Sequence, residues 1–167
     1  MWRIRNTFLS LLPLVWLVTL SMAEEEMAWF DLEKCAICSK LDAEKGLMES
    51  LNWEAHVISD GMLSITVVPA GYEDALLRAA EHMETSLREL ESGEPKAICG
   101  FCRSYGKLVM AGARVEEIDT LAGHVSLITA TDPEVVTAIH EHARQAIQEA
   151  KRVLESVAAR QNGGGSK

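Results

Sequence analysis

Several kinds of chemistry are missing from this 167-residue sequence. It has no glycine-rich loop to cradle a phosphate, no Gly-x-Ser-x-Gly elbow to present a serine nucleophile, and no His-Glu-x-x-His pair to hold a catalytic zinc on one helix. Basic residues are scarce: 16 Lys and Arg stand against 25 Asp and Glu, a formal charge of −9. A surface of that sign repels phosphate backbones and anionic lipid, so nucleic acid is not an expected partner. The carboxylates are spread over polar faces, where solvation accounts for them and keeps an acidic chain soluble.

What is present begins with an address. The chain opens MWRIRNTFLSLLPLVWLVTLSMA. Arg3 and Arg5 form a basic start, Phe8 to Leu20 an apolar core, and Ser21-Met22-Ala23 a small-residue cleavage pattern followed by three glutamates. That order of features predicts a secretory signal peptide over residues 1–23, with export to a secreted or periplasmic location. The alternative is an uncleaved anchor, for which the run from Thr7 to Ala23 is at the short limit for a bilayer. Removing the peptide takes away two arginines and no acidic residue, moving the formal charge from −9 to −11. The remaining chain is long enough for one domain with a core, and no membrane contact is expected of it.

That remainder repeats itself. Cys35 and Cys38 match Cys99 and Cys102 at an offset of 64 residues. Lys45/Lys107, Met48/Met110, Gly61/Gly123 and Ser64/Ser126 match at 62, and Glu81-His82 matches Glu141-His142 at 60. An ordered series whose offset shrinks by small steps is what a duplication leaves when loops lose residues. The two copies are residues 31–92 and 96–158, within one globular domain over 24–160, and Gln161 to Lys167 reads as a flexible tail.

Each copy reads as an αββα module. Helical character follows each cysteine pair, over Ser39 to Leu51 and Arg103 to Ala111. A hairpin comes next, turning at Asp60-Gly61 in the first copy and through a longer turn in the second. Alternation sends Leu63, Ile65 and Val67 to one side, and Val125, Leu127 and Thr129 likewise. The polar first strand of the second hairpin suits an exposed or edge position. A helix closes each copy, from Gly71 to Leu90 with a stripe of Leu76, Ala79, Ala80, Met83, Leu87 and Leu90, and from Pro133 onward behind the N-cap Asp132 with a stripe of Val136, Ile139, Ala143, Ile147, Ala150 and Leu154. The fold class is α+β: two modules joined about a pseudo-twofold, their hairpins forming an antiparallel sheet with helices packed on it.

The chemistry lies in the thiols. Cys35, Cys38, Cys99 and Cys102 form two Cys-x-x-Cys pairs, and three readings compete. In an exported protein they can be two disulfides stapling an interaction module, although a bridge within Cys-x-x-Cys closes the smallest and least stabilising loop. They can serve thiol–disulfide exchange through Cys99 and Cys102, although no strand precedes either motif as a thioredoxin-type site requires. Or the four thiolates can share one Zn²⁺ or Cu(I), if the twofold brings the pairs together. For a shared tetrahedral ion with bonds of about 2.3 Å, sulfurs of different pairs should lie about 4 Å apart. His82 and His142, at matching positions on the closing helices, are candidate additional ligands, one for each pair. His140 and His142 are two apart and cannot chelate as a helical i, i+4 pair. The favoured reading is an exported, non-catalytic metal-binding thiol protein.

Overall fold

Two stretches of alternating side chains fold back on themselves and join edge to edge. In the computed structural model, which describes residues 27–163, strands β1 (Asn52–Ile58) and β2 (Gly61–Val67) form one antiparallel hairpin. Strands β3 (Arg114–Thr120) and β4 (Gly123–Thr129) form the other. β2 then pairs antiparallel with β4, giving one four-stranded sheet of order β1-β2-β4-β3. The central ladder sets Ser64 opposite Ser126, with Gly61 opposite Thr129 and Gly123 opposite Val67. The polar strand β3 is an edge strand, as its composition suggested. The expected signal segment and residues 164–167 of the expected tail lie outside the described residues.

Among the described residues there are five helices: α1 (Ser39–Ala43), α2 (Leu47–Ser50), α3 (Glu73–Glu91), α4 (Gly100–Met110) and α5 (Pro133–Gly163). The single helix expected over 39–51 is split, because Gly46 takes a left-handed φ of 76° between α1 and α2. Its counterpart starts earlier than expected, with Cys99 as N-cap, so α4 includes Cys102 in its first turn. α5 opens behind Asp132, whose side chain accepts a hydrogen bond from the Glu134 amide at 2.8 Å, as an N-cap should. It continues through Gly163, three residues into the segment expected to be a tail.

The turns also differ from expectation. Both are two-residue turns, Ser59-Asp60 and Leu121-Ala122, so the second is no longer than the first. Gly61 is therefore a strand residue, and its φ is not positive. Glycine is needed there for a different reason. A Cβ on Gly61 would fall 1.8 Å from the Ile128 carbonyl oxygen, and one on Gly123 would fall 2.0 Å from that of Thr66. Both glycines let the central strands approach closely.

Three apolar clusters hold these elements. The first lies between the sheet and α4 and α5: Met62, Leu108, Ile128, Val135, Ile139 and Ala143, flanked by Ala55 and Val115. Ile139 is fully buried, and burial on that scale stabilises by about 1.5–3 kcal/mol per side chain. The stripe of α5 that faces inward is rotated from the expected one: Val135, His142 and Ala146 are buried, whereas Ile147 is exposed. A second cluster joins α1, α2 and α3 through Leu47, Ala75 and Ala79. The principal neighbour of α3 is α1, not the sheet. The third cluster contains the cysteines and lies between these two bodies.

Candidate metal centre

The two Cys-x-x-Cys segments meet because both flank helix starts that the chain brings side by side. Cys38 caps α1, and Cys99 caps α4 with Cys102 in its first turn. One backbone hydrogen bond, from the Ala36 amide to the Ala97 carbonyl at 2.9 Å, ties the two segments directly. The Cys35 carbonyl, ahead of α1, accepts the Ser39 amide, and the Cys99 carbonyl accepts the Arg103 amide at the start of α4, both at 3.0 Å. The cysteines are thus held at the starts of two helices, with Cys38 as an αR N-cap and Cys99 as an extended one.

The four Sγ atoms all lie within 4.8 Å of one another. Between the pairs, Cys38 is 3.3 Å from Cys102 and 3.6 Å from Cys99, and Cys35 is 3.7 Å from Cys102. No two are at bonding distance, and all four are free thiols. The expected spacing of about 4 Å between pairs is met to within several tenths of an ångström. Cys35 also accepts the backbone amides of Cys38 at 3.5 Å and Cys99 at 3.4 Å, one from each segment.

This crowding divides the sulfurs electrically. The contact with Cys102, then those with Cys38 and Cys99, hold Cys35 well below the ordinary thiol range. Cys102 is the leading cause again in Cys99, which is lowered to about 6. Cys38 is pushed up first by Cys102, and Cys102 first by Cys35, with burial adding to both. Four sulfur donors gathered in this way are compatible with a soft or borderline metal ion.

The wall is apolar. Met27, Phe30, Leu32, Met83, Leu90, Ile98 and Phe101 pack around Cys35, Ile37, Cys38 and Cys99. Trp29 stacks edge-on against Phe101 at 5.5 Å, and its carbonyl accepts the Phe101 amide. Gly100 makes that approach possible, since a Cβ there would lie 2.6 Å from the Trp29 ring. Sequence reasoning missed Trp29, Phe30 and Phe101. The signal was available: two aromatics stand ahead of the first motif, separated from it by four residues, and one lies inside the second.

The two histidines do not join the group. Among the described residues, only the four cysteines gather their donor atoms this way. His82 is exposed on α3. His142 is buried at 3% exposure, ring against ring with Trp29, Phe101 and Tyr105, and its Nδ1 lies 3.0 Å from the Ser104 hydroxyl. Its Nε2 has no partner, and burial lowers its pKa to about 4, so it stays neutral. His140 is engaged separately, with Nε2 2.8 Å from the Ile58 carbonyl oxygen. The matched positions of His82 and His142 mislead because α5 lies on the sheet and α3 on α1, giving one histidine a core and the other solvent.

A groove of about 710 Å³ adjoins the site, with Phe30, Met83 and Phe101 shared between the two. It runs along Trp53, Leu76 and Ala146 to the sheet end at His124. Desolvation lowers the His124 pKa, but Asp119 and Glu117 on either side raise it further, so the net shift is upward. No described helix is long and apolar enough to cross a membrane. No family model, curated protein or solved structure matches this chain.

Proposed function

We propose that this chain is an exported, non-catalytic metal-binding protein that holds one Zn²⁺ through Cys35, Cys38, Cys99 and Cys102. The observation that carries the reading is that three of the four sulfur separations between the pairs are 3.3 to 3.7 Å, in a group spanning no more than 4.8 Å. A tetrahedron with bonds of about 2.3 Å has edges close to these values. A polynuclear iron–sulfur cluster distributes its cysteines over several irons and needs them farther apart. Four thiolates around one centre suit Zn²⁺ better than the low-coordinate sites that Cu(I) accepts, and Cu(I) is the second choice.

The burial of three of the four cysteines, with Cys102 partly buried, supports a structural role. Cys35 and Cys99 are 0% exposed, whereas a disulfide-exchange nucleophile must reach its substrate. Closed four-ligand sites contribute folding free energy, and catalytic ones keep a position open. Export rests on the basic, apolar and small-residue succession over residues 1–23. We also read the fold as a duplicated module. The ordered series of matches supports this, and so does a central ladder that sets Gly61 and Gly123 at opposite ends of equivalent close contacts.

Elemental analysis combined with thiol titration on native material tests this function. One zinc per chain is expected, with four thiols that react only after chelation or unfolding. Metal-free protein with two disulfides would return the chain to the stapled-module reading. One fast-reacting thiol without metal would mark it as an exchange enzyme.

A further inference from the structure

The face of the sheet turned away from the helices carries its most regular apolar pattern. The register sends Leu63, Ile65 and Val67 of β2 to that face, with Val125 and Leu127 of β4 and Ile118 of β3. Leu63 stands opposite Leu127, and Ile65 opposite Val125, which has Ile118 on its other side. The interleaved positions facing the helices are Met62, Ser64 and Thr66 on β2 and His124, Ser126 and Ile128 on β4, four of the six polar. Antiparallel sheets that cover one face normally turn apolar residues inward and leave polar ones in water. The central strands here do the reverse.

No described element packs on this apolar face. Val67 and Ile118 are 37% and 46% exposed, and the other four are half-buried by their neighbours in the sheet. The net formal charge of this face is only −1, from Glu54, Glu116 and Arg114. Its ionisable residues are Glu54 and His56 at one edge and Arg114 and Glu116 at the other, each pair joined within the face, at 3.5 and 3.0 Å. A chain of formal charge −9 therefore holds its excess elsewhere. That is the distribution an acidic protein needs if copies of it are to meet here without repelling one another.

We infer that two copies of the chain pack this face on itself, sheet against sheet, about a twofold axis. Seven-residue strands run about 23 Å and four of them span about 19 Å, a flat footprint of roughly 440 Å² per copy. Two such faces give about 880 Å², below the roughly 1,200 Å² at which stable specific interfaces begin, which places the association in the weak, concentration-dependent class. An axis parallel to the strands lays β1 of one copy over β3 of the other. The Glu54/His56 edge then meets the Arg114/Glu116 edge, and the aliphatic centre is sealed between two polar rims. The assembly is an aligned β-sandwich with its helices on the two outer surfaces.

Sedimentation velocity on the purified protein, from about 1 to 200 µM, tests this across the micromolar range expected for a small interface. The parent should shift from monomer to dimer with concentration. Ile65→Lys and Leu127→Lys should each remain monomeric throughout, with circular dichroism and melting as checks on the fold. The milder Ile65→Thr and Val125→Thr, which keep β-branched side chains, should weaken association about tenfold or more. Leu77→Lys, on the exposed side of α3, should leave the dimer unchanged. A parent that stays monomeric at about 200 µM overturns the inference. So does a dimer that survives folded Ile65→Thr and Val125→Thr at parental affinity.

Discussion

Replacing Gly61 by alanine adds a single methyl group, yet it should be among the most damaging small substitutions in the chain. The new Cβ would lie 1.8 Å from the Ile128 carbonyl oxygen, and real contacts of this kind stay beyond 3.0 Å. β2 and β4 must therefore separate by more than 1 Å at that point, which also pulls on the closing bond from the Ala130 amide to the Asp60 carbonyl. Overpacking costs about 1–3 kcal/mol. Weakening one backbone hydrogen bond adds about 1 kcal/mol. The expected loss is about 2–4 kcal/mol, or roughly 6–12 °C in melting temperature for a chain of this size. Gly106→Ala supplies the opposite sign. It lies inside α4, its Cβ would meet nothing within 4 Å, and its φ is not positive. That change should stabilise by about 0.4–1 kcal/mol. Chemical denaturation of the parent and both variants reads the contrast directly. A Gly61→Ala protein as stable as the parent would refute the close approach of the central strands, whatever Gly106→Ala does.

Four further outcomes are expected. Cys38→Ser should abolish stoichiometric zinc binding and remove the gap in melting temperature between chelated and metal-loaded protein, because Cys38 touches both sulfurs of the other pair; elemental analysis and paired melts check it. His142 is neutral in the fold, with its pKa lowered from 6.5 to about 4, so the unfolded chain binds the extra proton between those values. In chelator, stability should be complete above pH 6.5, fall by up to about 3 kcal/mol as the pH drops to 4, and level off below; denaturation across that range should show His142→Phe without this component. Gly100→Ala should displace Trp29, red-shifting tryptophan emission and weakening metal retention, since the ring occupies the space of the new methyl. The secreted protein should begin at Glu24, which intact-mass measurement tests.

Hairpins were readable because strand alternation has a period of two that helices do not share. Which face the helices take was not readable, because alternation separates two faces without labelling them. Leu63, Ile65 and Val67 look like core and turn away from the helices, while Met62 and Ile128 are the buried residues. The phase of α5 is ambiguous in the sequence for a related reason: a broad apolar stripe fits two rotations, and only packing selects Val135 and Ala146 over Ile147. The gathering of the cysteines followed from spacing plus repetition. Their wall did not, since Trp29 and Phe30 precede the motif in a stretch without periodicity. The backbone amides that reach Cys35 belong to no residue type and leave no mark in sequence.

The division into three apolar clusters bears on how the molecule opens. The body formed by α1, α2 and α3 has its own small core and little hold on the sheet. Amides there should exchange with solvent sooner than those of β2, β4 and α5, and a protease should find the loop ahead of α3 before any strand. The cysteine cluster joins that body to the rest, with Met83 and Leu90 from α3 on one side and Phe101 from α4 on the other. An ion bound there would make opening of the first body wait for metal release, so proteolytic lifetime would follow metal supply. Metal-starved protein would be cut at the 68–72 loop and cleared, while loaded protein persisted.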